Sequence, residues 1–156
     1  MSKPEAALDG SRIRVALVVS RFHDFVTEKL LDGAERCLER HGCTAERRTV
    51  VRVPGAWEIP QAAKRLTTGG GFDAIIGLGA LIRGETPHFD VLAAEVARGL
   101  GQVGLDSGVP TIFGVLTTNT VEQALARAGA KSGNKGWEAA LAALEMTGLF
   151  HELGGR

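Results

Sequence analysis

Four nearly unbroken apolar runs alternate along the chain with stretches in which apolar positions return every three or four residues. The first run, Ile13-Arg14-Val15-Ala16-Leu17-Val18-Val19, is rich in β-branched residues, as expected of a strand covered on both faces of a parallel sheet. Ser20-Arg21-Phe22-His23 breaks it. From Asp24, read as an N-cap, the residues Val26, Leu30, Gly33, Ala34, Cys37 and Leu38 fall on one helical face, and Gly42 stands at the stop. Thr49-Val50-Val51-Arg52-Val53 is the second strand, ended by Pro54-Gly55, and Ala56-Trp57-Glu58-Ile59-Pro60 leads into a short helix through Leu66. After the turn at Gly69-Gly70-Gly71 the third run, Ala74-Ile75-Ile76, gives way to what reads as a loop from Gly77 to Asp90. Phe89, Leu92, Val96, Leu100 and Val103 then predict a long helix to about Gly104. Thr111 to Leu116 is the fourth strand. Thr120-Val121-Glu122-Gln123 fits a capping box heading a helix to about Ala128, a polar loop spans Ala130 to Lys135, and Gly136 to Phe150 forms a last amphipathic helix.

Strands alternating with helices through short loops predict an α/β fold, a three-layer αβα sandwich of flavodoxin-like type with a four-stranded parallel central sheet. At 156 residues and 44% hydrophobic content the chain suits one domain, residues 13–156, preceded by a flexible or peripherally docked N-terminal arm at 1–12. The 18 basic and 18 acidic side chains cancel without forming a basic stripe, which argues against nucleic acid as a partner. No apolar run is long enough to cross a bilayer, and Met1-Ser2-Lys3-Pro4-Glu5 lacks the apolar segment of a signal peptide, so a cytoplasmic location and no membrane partner are expected. Cys37 and Cys43 have no His or Cys at a metal-binding interval, which predicts buried reduced thiols and no metal.

The chemistry gathers where the strands end. Phe22 and His23, then Ala56 to Glu58, then Arg83 to His88, then Thr117 to Asn119 follow the four strands in turn, and in a parallel sheet these exits share one edge. In the third exit, Gly84 lets backbone approach a ligand, Thr86 offers a hydroxyl, Pro87 suits a first helical turn and His88 places an imidazole at a helix head, a natural seat for an anion. Taken singly, each residue has a plainer reading. Phe22 serves a core as readily as a ligand, Glu58 is also a helix-head acid, and Arg127 is also an ordinary cation near a helix end.

Together these stretches resemble the lumazine synthase family. The resemblance runs from about Arg14 to Phe150. It rests on Ser20-Arg21-Phe22, Val53 to Pro60, Gly79 to Asp90, Phe113-Gly114-Val115-Leu116-Thr117, and Arg127-Ala128-Gly129 followed by Gly133-Asn134-Lys135-Gly136. It implies condensation of 5-amino-6-(D-ribitylamino)uracil with 3,4-dihydroxy-2-butanone 4-phosphate, releasing phosphate and water, with no cofactor. By the same resemblance Phe22 stacks on the pyrimidine, and Ala56, Trp57 and Glu58 lie along the ribityl chain. Ala80, Leu81 and Ile82 present backbone groups to the pyrimidine edge, Glu85 (through its N–H) and Thr86 cradle the phosphate, and His88 shuttles protons. Phe113, Arg127 and Lys135 reach the site of an adjacent subunit, the two cations toward the phosphate.

The resemblance also implies homopentamers, and the compact Gly129 to Gly136 connection resembles that of members whose pentamers pack into an icosahedral shell, isolated pentamers and decamers being the alternatives. One position departs: the family often has Asn after the phenylalanine, where His23 stands here, and its role is left open. The rival activities are those of the related archaeal type of riboflavin synthase, of a flavin- or lumazine-binding carrier or inactive shell protein, and of a plain phosphate-binding flavodoxin-like domain.

Overall fold

The computed structural model describes residues 6–131 and 133–154. Its strands are β1 (Val15–Ser20), β2 (Arg48–Val53), β3 (Ala74–Ile82) and β4 (Thr111–Thr118), and its α-helices are α1 (Asp24–Arg40), α2 (Ile59–Gly69), α3 (His88–Ser107), α4 (Val121–Arg127) and α5 (Lys135–Glu152). Single 3-10 turns at Ala45–Arg47 and Ala56–Glu58 introduce β2 and α2. All pairings are parallel, in the order β2-β1-β3-β4. The chain steps outward from β1 to β2, then returns across β1 to β3, so the order reverses between β1 and β3 and a crevice opens there at the carboxyl ends.

β1 is buried at every position because both faces are covered. Val15, Leu17 and Val19 enter a core shared with Val26, Leu30 and Cys37 of α1 and Ala140 and Leu144 of α5. Ala16 and Val18 enter the opposite core, with Ile59 and Ala63 of α2 and Val96 and Leu100 of α3. Every residue assigned from sequence to the inner face of α1 is buried. Cys37 and Cys43 are buried free thiols.

Two boundaries differ from the sequence reading. Gly77 to Ile82, read as loop, is strand: β3 runs on from Ile76 to Ile82. The glycines there serve packing, since a Cβ on Gly77 would lie 2.8 Å from Ile59 Cγ2 and 3.1 Å from Leu100 Cδ1, so their absence lets α2 and α3 close on the sheet. Asp24 is not the N-cap of α1. His23 holds that place in the left-handed region, φ 62° and ψ 46°, and Asp24 is the first helical residue, its carboxylate near the positive helix end. Before α4 Thr120 is the N-cap as read, its Oγ1 accepting from Gln123 N at 3.1 Å, but the Gln123 side chain closes one residue further back than a capping box would, accepting from Asn119 N at 2.8 Å.

Of the arm at 1–12, residues 1–5 lie outside the described residues. The remainder is docked: Gly10 donates to His41 O at 2.7 Å, and Arg47 bonds Ser11 O.

Candidate active site

Past its last pairing with β1, Val19 with Leu78, β3 continues to Ile82 paired with β4 alone. Ile75 and Arg83 both donate toward the β4 side, to Pro110 O at 2.9 Å and Thr118 O at 2.8 Å. Successive peptide groups of an extended strand point to alternate sides, so odd-numbered residues here serve β4 and the N–H and C=O of Ala80 and Ile82 face the side β1 has vacated. Leu81 gives its peptide groups to β4. A row of backbone donors and acceptors therefore borders the crevice at the switch point.

The chain leaving β1 turns away from that row. Arg21 donates to Val53 O at 2.8 Å and Phe22 to Pro54 O at 3.1 Å, tying the β1 exit to the β2 exit and leaving the β3 side open. Phe22 is 66% exposed, unusual for a phenylalanine in a small domain. Its ring lies 4.3 Å from that of His23, tilted by 53°, and His23 stands edge-on to Phe25 at 5.9 Å. Burial lowers the pKa of His23. Ser20 Oγ, buried beneath this exit, has no hydrogen-bond partner among the described residues.

In the Ala56–Glu58 turn, Ala56 is buried and Trp57 is 55% exposed. The half-buried Glu58 reaches back to the head of its own turn, Oε1 accepting from Gly55 N at 3.0 Å. This satisfies the helix-head role of the glutamate with one oxygen, and Oε2 makes no hydrogen bond among the described residues. At the β3 exit Glu85, Thr86 and His88 are all exposed, with His88 the first residue of α3 and its N–H 3.4 Å from Thr86 Oγ1. Arg83, grouped with this exit from sequence, is engaged elsewhere. Its Nε donates to Asn119 Oδ1 at 2.9 Å, its terminal nitrogens reach Asp90 at 3.3 and 3.4 Å, and its guanidinium lies 4.5 Å from the Phe89 ring centre. It braces the β3 exit against β4 and α3.

The remaining site candidates form a second group. Phe113, Arg127 and Lys135 line one groove of about 440 Å³ together with Val115, Leu116, Thr117, Gly133 and Glu138. Residues on both faces of β4 contribute, so the groove runs over the unpaired outer edge of the sheet, on the side of β4 away from β1. Neither Arg127 nor Lys135 has a carboxylate within 4.0 Å among the described residues. Two unpaired cations and one acid beside an aromatic ring suit an anionic ligand with an apolar part.

The parallel order thus puts the exits of β1, β2 and β3, which carry one set of candidates, on the carboxyl edge of the sheet, while the other set lines the groove on the far edge of β4. Sequence reasoning missed Glu138, although its i, i+3 spacing from Lys135 on a helix places both on one face. It also missed Asn134, whose place just before a helix was a capping signal.

A sequence profile of the family described as 6,7-dimethyl-8-ribityllumazine synthase matches residues 12–151. Proteins of that name from Chlorobaculum tepidum and Chlorobaculum parvum are 52% and 53% identical to this chain, each alignment covering 96% of both sequences. That of Chlorobium limicola is 53% identical over 95% of this chain and 96% of its own.

Proposed function

The chain belongs to the 6,7-dimethyl-8-ribityllumazine synthase family, and we propose that it is a transferase of riboflavin biosynthesis that joins 5-amino-6-(D-ribitylamino)uracil to 3,4-dihydroxy-2-butanone 4-phosphate. The observation that carries the reading at the level of the site is the overhang of β3. Ala80 and Ile82 offer strand-like hydrogen bonding to the edge of a pyrimidine, and the exposed Phe22 offers its face. Glu58 Oε2 accepts from ribityl hydroxyls beside Ala56 and Trp57, with Oε1 anchored on Gly55. Leu81, its peptide committed to β4, contributes an apolar wall.

The second substrate carries a dianion, assigned here to Arg127, Lys135, the Glu85 N–H and the Thr86 hydroxyl. Lone cations in a groove and N–H groups at a helix head are both suited to phosphate. The reaction forms an imine between the pyrimidine amine and the ketone with loss of water, eliminates phosphate to an enol, and closes the ring with loss of a second water. Each step moves protons, and His88, exposed at the head of α3, is the group placed to take and return them.

Because the Phe113–Arg127–Lys135 groove opens on the outer edge of β4, we assign it to the crevice of an adjacent copy in a homopentamer, with an icosahedral assembly of pentamers as the fuller form. The assembly is expected to act in the cytoplasm, as one domain from residue 13 onward. No helix among the described residues is long and apolar enough to cross a membrane. Incubating the purified protein with both substrates while following lumazine fluorescence, with particle mass measured on the same sample, tests activity and assembly together. Absence of fluorescent product, or full activity from a monomer, refutes the respective half.

A further inference from the structure

Arg127 ends α4 and Lys135 begins α5, so the geometry of these two cations depends on the hairpin between them. One side chain closes that hairpin. Asn134 Oδ1 accepts from Gly136 N at 2.8 Å and Trp137 N at 3.1 Å, capping α5. Its Nδ2 donates to Ala128 O at 3.2 Å, one residue after Arg127, and to Lys29 O of α1 at 3.1 Å. The amide has two donor and two acceptor places, and all four are filled. An isolated antiparallel bridge between Ala128 and Asn134 adds backbone pairing to the same closure.

The surrounding sequence makes room for this amide. A Cβ on Gly33 of α1 would lie 2.4 Å from Asn134 Oδ1, one on Gly136 would lie 3.0 Å from it, and one on Gly129 would lie 3.3 Å from Nδ2. Gly129 also holds φ +103°, a conformation that turns the chain back toward α5. Three glycines on three segments border one polar side chain that caps a helix and crosslinks two others.

We propose that Asn134 is a positioning residue for the phosphate subsite, fixing Arg127 and Lys135 relative to each other and to α1; this rests on the reading that those two cations bind the substrate phosphate. An N-cap role alone requires only the two acceptor bonds. The two donor bonds, to Ala128 and Lys29, set where the hairpin stands, and a dianion held by two separate cations is sensitive to their spacing.

The experiment separates the two roles. Asn134→Ser retains a good helix cap without charge and loses the twin donors; Asn134→Asp keeps both acceptors and loses both donors. Steady-state kinetics of the full assembly are measured with each substrate varied, with inorganic phosphate as competitive probe, alongside thermal melts. The expected result is a rise on the order of tenfold in KM for the butanone phosphate, and in the inhibition constant of phosphate, for both variants. The KM for the pyrimidine stays within about twofold of wild type. In an Arg127→Ala background, Asn134→Ser adds little further, because it acts through the arginine. A purely structural asparagine lowers melting temperature and active fraction while leaving both KM values unchanged, or raises both alike; either result, with Arg127→Ala still weakening phosphate binding, overturns the positioning role. Should Arg127→Ala itself leave phosphate binding intact, the phosphate reading falls and the inference with it.

Discussion

Replacing Gly136 with alanine sets two effects of opposite sign against each other. Helix propensity favours the substitution by up to about 1 kcal/mol, since alanine is the better residue within α5. Packing opposes it. A Cβ at 136 would lie 1.9 Å from the Leu30 carbonyl oxygen and 2.7 Å from the Leu30 carbonyl carbon. A relaxed C···O contact is about 3.3 Å, so the head of α5 must retreat from α1 by roughly 1.4 Å. The obstacle is helical backbone rather than a side chain that can swing aside, which puts the cost near the top of the usual overpacking range, about 3 kcal/mol. The net loss of about 2 kcal/mol corresponds, for a chain of this size, to a fall of roughly 4–8 °C in melting temperature. The same displacement stretches the bond from Asn134 to Lys29 O, so affinity for inorganic phosphate falls too. Far-UV circular dichroism melts and phosphate competition read the two effects. An unchanged or raised melting temperature refutes the close α1–α5 approach on which the argument depends.

His88→Ala is expected to slow turnover by about ten- to a hundredfold rather than abolish it, because orientation of a reactive amine and ketone survives the loss of a proton carrier; unchanged kcat removes the imidazole from the reaction. His23→Asn keeps a residue that tolerates the left-handed conformation and removes the titrating ring. Because burial lowers the His23 pKa from its ordinary 6.5, the unfolded chain takes up the proton more readily. The stability carried by the neutral ring is therefore present above about pH 6.5 and is lost as pH falls through the lower folded value, so wild type loses melting temperature faster than the variant in acid; parallel profiles contradict this. Burial pushes the Cys37 thiol up to about 11 from 9.0, so its stabilising proton is held below pH 9 and surrendered as pH rises through the folded value. Iodoacetamide at pH 8 should leave both cysteines unlabelled in the native protein and label both in guanidinium, and rapid native labelling of Cys37 speaks against its burial.

Legibility in the sequence followed the presence or absence of side-chain periodicity. The inner face of α1 was readable because six buried positions recur at helical spacing, and β1 because both its faces carry apolar residues. β3 was truncated because glycine leaves no mark in a hydrophobicity pattern. What Gly77 signals, close approach of Ile59 and Leu100, depends on residues 18 and 23 positions away. His23 defeated the cap rules for a related reason: its left-handed backbone lets an imidazole occupy a place that side-chain chemistry alone gives to Asp24. Among the site candidates, Phe22, Glu58 and His88 announced themselves by position after strands. The commitment of Arg83 to Asn119, Asp90 and Phe89 did not, because a guanidinium in a loop looks alike whether it binds a ligand or a neighbouring carboxylate. Asn134 was quoted only as part of a motif, and its four bonds span 105 residues of chain.

The mismatch in length between β1 and β3 works as a ruler. Four residues of β3, Gly79 to Ile82, extend past the last β1 pair, and at about 3.3 Å per residue they leave a border of roughly 13 Å, enough to flank a flat heterocycle. Lengthening β1 by four residues would keep the pleat in phase while filling that border with protein, closing the cleft without altering any of the side chains assigned to it. For anyone seeking to reshape this scaffold toward a larger or smaller ring, strand length is a dial separate from the identity of the lining residues.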